Sequence, residues 1–215
     1  VADCVEFLGR RPVAWLLDEI AVDARWCLVH ATHLDDDETR RFAASGAVAG
    51  LCPITEANLG DGLFPLVDFI DAGGRFGIGT DSNVLASANE ELRLLEYGQR
   101  LSARKRCLAL PGDAKGSVGR YLYDASLKGG ALACGHGGGS LAVGQRADLC
   151  VVREASLPLP DLRGDAVLDS LVFARAAFPA HDVLCGGDWV VRDGRHIRED
   201  EISAAFRAAI RHLRS

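Results

Sequence analysis

Three short apolar runs alternate with helix-patterned segments over residues 1–105: Trp26–His30, Ala47–Cys52 and Arg75–Thr80. Strands separated by helices pair in parallel, because a right-handed crossover packs each helix back onto the sheet. The helices carry their own signals. Val13, Leu16, Leu17 and Ile20 recur at i, i+3, i+4 and i+7 behind Pro12, which suits a first helical turn. Asp35 with Glu38 forms a capping box, and Gly46 a stop. Pro65 opens a helix that Gly73-Gly74 ends, and Ser87 with Glu90 caps another over 88–104. Residues 54–64 read as a loop. Two architectures fit this order: part of a (β/α)8 barrel, or a small doubly wound sheet.

Beyond residue 105 the texture changes. A polar connection leads to a helix over Ser117–Lys128, ended by Gly129-Gly130. Gly135–Gly139 is glycine-rich, Ala147–Val152 is a strand, and Asp182–Val191 with the turn Asp193-Gly194 is a hairpin. Ile202, Ala205, Phe206, Ala209, Ile210 and Leu213 then fall at helical spacing. This divides the chain into an α/β part (1–135), a small β-rich segment (136–198) and a C-terminal helix (199–215).

Composition excludes several functions. Acids outnumber bases 30 to 24 and the net charge is −6, which argues against a nucleic-acid partner. The sequence has no apolar run long enough for a transmembrane helix, so no membrane partner is expected. Val1–Arg10 carries acids and no apolar core, so no secretory leader is expected. Seven cysteines, scattered singly and without a CxxC pair, read as reduced thiols in a cytoplasmic protein. The chain contains no Met, which fits a start in mid-gene.

In parallel α/β folds, functional residues gather where strands end. His30 ends the first run, Asp81 follows the third, and Glu56 and Asn58 follow the second. A His and an Asp at one strand-end mouth suit a divalent metal that activates water. The competing reading is a hydrogen-bonded histidine near the core and an aspartate that caps a loop. The other candidates are weaker. His33 lies three residues from His30, on the opposite face of a strand. The glycine-rich stretch around His136 lacks the Lys-Ser/Thr of a P-loop. Gly77-x-Gly79 is no dinucleotide fingerprint, and no nucleophile elbow surrounds Ser82. Cys27 and Cys52 lie in apolar runs and read as core.

WCLVHATH (Trp26–His33), CPITEANLGDGLFP (Cys52–Pro65), FGIGTDSN (Phe76–Asn83) and EELRLLEYGQRL (Glu90–Leu101) occur in that order. Together they resemble formimidoylglutamate deiminases of the amidohydrolase superfamily. GGALACG and GSLAVGQRADLCVV (within Gly129–Val152) resemble the exit from that superfamily's barrel into its small β-sandwich. The resemblance spans nearly the whole chain. It implies an α/β fold: the last three strands of a (β/α)8 TIM-type barrel, with a C-terminal β-sandwich appendage. It implies zinc-dependent hydrolysis of N-formimidoyl-L-glutamate, a small-molecule substrate, to N-formyl-L-glutamate and ammonia in histidine breakdown. Asp81 matches a zinc ligand and proton shuttle. His30 matches a histidine that orients and polarises the substrate. The loop carrying Glu56 and Asn58 matches one that shapes the substrate pocket. The family's barrels often pair, so a homodimer is expected.

The family's site also uses an HxH pair, a further histidine and a nearby glutamate, and this sequence shows no such set. The expectation is therefore a C-terminal fragment with an incomplete zinc site, inactive alone. Two rival readings are a related amidohydrolase acting on guanine- or triazine-like rings, and a non-catalytic α/β module that binds partners or oligomerises.

Overall fold

The computed structural model describes residues 1–82, 85–112, 114–135, 138–175 and 177–214. The chain divides into two compact units: Val1–Ser140 with Leu157–Phe178, and Leu141–Ser156 with Pro179–Ser215.

In the first unit the order is α1 (Ala2–Leu8), α2 (Pro12–Glu19), β1 (Cys27–Val29), α3 (Asp36–Ser45), β2 (Val48–Leu51), α4 (Pro53–Leu59), α5 (Leu66–Asp71), β3 (Arg75–Ile78), α6 (Ala88–Ala103), α7 (Val118–Ala133) and α8 (Asp165–Phe173). The strands form one parallel sheet in the order β1-β2-β3. Its central strand carries Val48, Ala49 and Leu51 into the core, all buried. Phe42, Phe64, Phe69 and Phe76 fill the space between sheet and helices. Phe42 and Phe64 pack on Phe69 with ring centroids 5.0 and 5.1 Å away.

The capping box at α3 forms as expected, and Gly46 takes the left-handed conformation that ends the helix. Glu38 does more than cap. It is buried, and it accepts hydrogen bonds from Arg11 Nε at 2.8 Å and from the Ala14 N–H at 3.0 Å. One carboxylate thus ties α2 to α3.

Four sequence expectations are corrected. Residues 54–64 are not all loop, because Pro53–Leu59 is helical. Pro53 pre-sets its first turn and Gly60 ends it in the left-handed region. Ser87 precedes α6, but its side chain does not cap that helix, and Glu90 pairs with Arg93 instead. Cys27, on an outer strand of the described sheet, is exposed, whereas Cys52 is buried. Gly129-Gly130 does not end the helix, since α7 continues to Ala133. A Cβ on Gly129 would lie 1.9 Å from the Phe76 carbonyl oxygen, and one on Gly77 would lie 2.9 Å from the Gly130 nitrogen. These glycines let helix and strand backbones touch, which outweighs the entropic cost of glycine inside a helix, about 1 kcal/mol.

The second unit holds β4 (Leu149–Val152), a 3-10 turn (Glu154–Ser156), β5 (Ala180–Cys185), β6 (Asp188–Arg192), β7 (Arg195–His196) and α9 (Glu199–Leu213). Its sheet is antiparallel, in the order β4-β5-β6-β7. Gly186-Gly187 and Asp193-Gly194 make its tight turns, all four with positive φ, as type I′ hairpin turns require. Within the 136–198 range read as β-rich, residues 165–173 form a helix that belongs to the first unit. No helix among the described residues is long and apolar enough to cross a membrane.

Candidate functional site

Each strand of the parallel sheet leads into a segment that carries a candidate side chain: His30 directly after β1, Glu56 in α4 after β2, and Asp81 in the turn after β3. Pairing runs one residue beyond β1, where the His30 N–H donates to the Gly50 carbonyl at 2.9 Å. His30 itself has φ 65, and Ala31 φ 50. Asp81, three residues past β3, has φ 50. A left-handed backbone is unfavourable for any side chain with a Cβ, by about 1–2 kcal/mol. Such strain persists where the surroundings over-determine it, and it clusters at functional sites. After β2 the chain enters α4, which brings Glu56 to the same place.

The three side chains meet. His30 Nδ1 lies 3.3 Å from Glu56 Oε1, and His30 Nε2 lies 3.6 Å from Asp81 Oδ2. Glu56 also accepts the Cys52 N–H at 2.9 Å, which fixes its carboxylate against the start of α4. The side chains of His30 and Asp81 are 35% and 40% exposed, whereas that of Glu56 is 4% exposed. The imidazole and Asp81 are therefore open to a small molecule, while Glu56 is buried on the Nδ1 side of the ring. A carboxylate only accepts hydrogen bonds, so Glu56 favours the tautomer with its hydrogen on Nδ1. Nε2 is then left facing Asp81. The 3.6 Å between them lies outside hydrogen-bond range.

Side chains stitch these loops together. Thr55 Oγ1 donates to the Thr80 carbonyl at 3.1 Å, joining α4 to the Asp81 turn. Thr32 Oγ1 donates to the Asp61 carbonyl at 2.7 Å, joining the His30 loop to the end of the α4 loop. A cleft of about 280 Å³ adjoins His30, bordered by Arg11, Thr32, His33 and Asp61 among others.

Of the residues singled out from sequence, His30, Glu56 and Asp81 come together. Asn58 stands on the exposed side of α4, two residues beyond Glu56. His33 is exposed and borders the cleft, and its carbonyl accepts from Arg11. Ser82 is exposed beside Asp81. Asn83 and His136 lie outside the described residues. Cys52 is buried, and burial, with Glu56, Asp81 and Glu91 nearby, pushes its thiol up to about 11, which disfavours the thiolate.

Glu91 escaped sequence reasoning. It is fully buried on α6, and burial pushes its carboxyl up to about 7 against the pull of the Ile54 N–H, with the charge of Glu56 adding to the rise. An acid in a first helical turn looks ordinary. The available signal was periodic: Glu91, Leu95 and Gly98 fall at i, i+4 and i+7 on the buried face.

The model of the amidohydrolase family matches residues 1–190. The chain belongs to the amidohydrolase family. It is 55% identical over 206 residues to a formimidoylglutamate deiminase of Pseudomonas aeruginosa, a match covering 96% of this chain and 45% of that protein. An amidohydrolase structure from Brucella melitensis superposes with a TM-score of 0.92 at 46% identity, covering 100% of this chain and 47% of the other. A zinc-bound adenosine deaminase from Xanthomonas campestris superposes with a TM-score of 0.84 at 29% identity, with the same coverage. The chain thus spans about half the length of the relatives it matches.

Zinc in such a relative invites a test of the donors here. Among the described residues no group of three His, Cys, Asp or Glu side chains is placed to hold a metal ion. Asp81 offers an exposed carboxylate at the strand-end mouth, but a zinc centre uses three or four protein ligands. The residues present fit one ligand position and not a whole centre.

Proposed function

We propose that this chain supplies the His30–Glu56–Asp81 part of a deiminase that hydrolyses N-formimidoyl-L-glutamate to N-formyl-L-glutamate and ammonia. The observation that carries this reading is the 55% identity to the Pseudomonas aeruginosa formimidoylglutamate deiminase across 96% of the chain. In the same reading the parallel strands are a segment of a (β/α)8 barrel and the second unit belongs to a β-sandwich.

Hydrolysis forms a C–O bond at the amidine carbon and breaks a C–N bond, releasing ammonia. A proton must leave the attacking water and reach the departing nitrogen. Asp81 is exposed at the mouth and is assigned that transfer, first as base and then as acid. His30, held by Glu56 behind it, presents Nε2 to the reacting group and fixes its position. A bound zinc would supply Lewis acidity, lowering the pKa of water, with Asp81 as one of its ligands. The remaining ligands would come from outside these 215 residues, so the chain alone is assigned weak zinc binding and no turnover. The cytoplasmic assignment belongs to the same reading; all seven cysteines are free thiols.

A chimera tests the substrate. The matched 206 residues of the Pseudomonas aeruginosa relative are replaced by those of this chain, and ammonia release is measured on formimidoylglutamate, guanine and adenosine. Turnover of formimidoylglutamate alone is expected. Preference for either purine would overturn the assignment. For the 215-residue chain by itself, zinc near one equivalent together with deiminase turnover would contradict the incomplete-site reading.

A further inference from the structure

Helix α4 carries Glu56, yet its own sequence leaves its N-terminus without a side-chain cap. Its N-cap residue is Cys52, whose side chain makes no cap hydrogen bond, and its first residue is Pro53, which has no N–H to offer. An N-cap side chain ordinarily accepts from the second or third N–H of the helix. Here the second N–H, on Ile54, donates to Glu91 Oε2 at 2.9 Å, across 37 residues of sequence.

Glu91 is fully buried, and its other oxygen, Oε1, has no hydrogen-bond partner among the described residues. Such a group is expensive to keep, since an unsatisfied buried acceptor forfeits its solvation. Leu92 and Leu95, buried on the same helix, present only hydrocarbon beside it. What the carboxyl provides is an acceptor at the first turn of α4.

We propose that Glu91 is a positioning residue of the site: it caps α4 from a second helix and so holds Glu56 against the ring of His30. The chain of contacts is short. Glu91 holds the Ile54 N–H; Glu56 lies two residues further along α4, accepts the Cys52 N–H at 2.9 Å, and meets His30 Nδ1. Without the cap the first turn of α4 frays, and Glu56 loses the fixed backbone from which it reaches the ring. This rests on the proposed function only for the importance given to the His30–Glu56 pair. Its readout is structural, so it succeeds or fails whether or not deiminase turnover is found.

The test compares Glu91→Gln and Glu91→Leu with the unaltered 215-residue chain by 15N NMR of the His30 ring, at a pH where a free imidazole is neutral. Gln keeps an acceptor of the same reach, and Leu removes it while filling similar volume. The unaltered chain and Glu91→Gln should both show the hydrogen on Nδ1. Glu91→Leu should lose that preference while signals from the Phe42–Phe69 core stay in place. Ile54 amide exchange should be slowed about 100-fold against an unstructured chain in the first two proteins. An unchanged His30 ring in a folded Glu91→Leu protein would overturn the proposal, as would a Gln variant perturbed as much as the Leu one. Should the Leu variant not fold, the Ile54 amide decides: protection in the unaltered chain and in Glu91→Gln supports the cap, and exchange at the unstructured rate overturns it.

Discussion

Replacing Glu91 with glutamine should make the protein's stability less sensitive to pH, by an amount the structure sets. Burial pushes this carboxyl from an ordinary 4.5 up to about 7. A group whose pKa is raised by folding takes up a proton as the chain folds. Its contribution is fully present below about 4.5 and is lost as pH climbs through 7. The rise corresponds to about 3 kcal/mol. Glutamine has no proton to lose, so its curve lacks that decline. The unfolding free energy of Glu91→Gln, minus that of the unaltered chain, should therefore grow by about 3 kcal/mol between pH 4 and pH 8. Urea unfolding at fixed ionic strength measures it. Trp189 lies in the second unit, so a Trp189→Phe background leaves Trp15 and Trp26 to report on the first. Carboxylates that do not interact with Glu91 titrate alike in both proteins and cancel in the difference. Parallel stability curves for the two proteins would mean that Glu91 takes up no proton on folding.

Three further outcomes follow from packing and burial. Gly129→Ala should lower stability by about 3 kcal/mol, because its Cβ would press on the Phe76 carbonyl, whereas Gly130→Ala meets nothing within 4 Å and should be neutral or stabilising; thermal unfolding of the pair separates the two. Glu38→Ala should cost about 3 kcal/mol in chemical denaturation, since it strips Arg11, the Ala14 N–H and the Asp35 N–H of one buried partner. Cys52, with its thiol near 11, should alkylate about 100-fold more slowly at pH 8 than a thiol at the ordinary 9.0, as read by mass spectrometry of iodoacetamide-treated protein.

The parallel αβ order was legible because its signals are local. Pro12, the Asp35–Glu38 box and Gly46 act within a few residues of where they stand, and the helices begin and end there. The mouth residues His30 and Asp81 were legible for a related reason: in a parallel sheet the position just past a strand already places a side chain. Contacts between distant segments were not legible. Gly129-Gly130 carries the local mark of a helix stop, but the Phe76 backbone pressing on it gives the pair another use. Glu91 reads as a first-turn acid until Ile54, 37 residues earlier, arrives to be capped. Residues 54–64 read as loop because Asn58, Gly60, Asp61 and Gly62 carry turn chemistry, whereas the Ile54 N–H of the helix found there is held from α6, 37 residues away.

In the proposed function, Asp81 and His30 do the chemistry of a formimidoylglutamate deiminase. The most direct test is kcat for ammonia release from N-formimidoyl-L-glutamate by the chimera, with Asp81→Asn and His30→Asn beside it. The chimera should turn over, and each substitution should lower kcat by about 100-fold or more, with the fold intact by circular dichroism. A chimera that works equally well without either side chain would contradict the account.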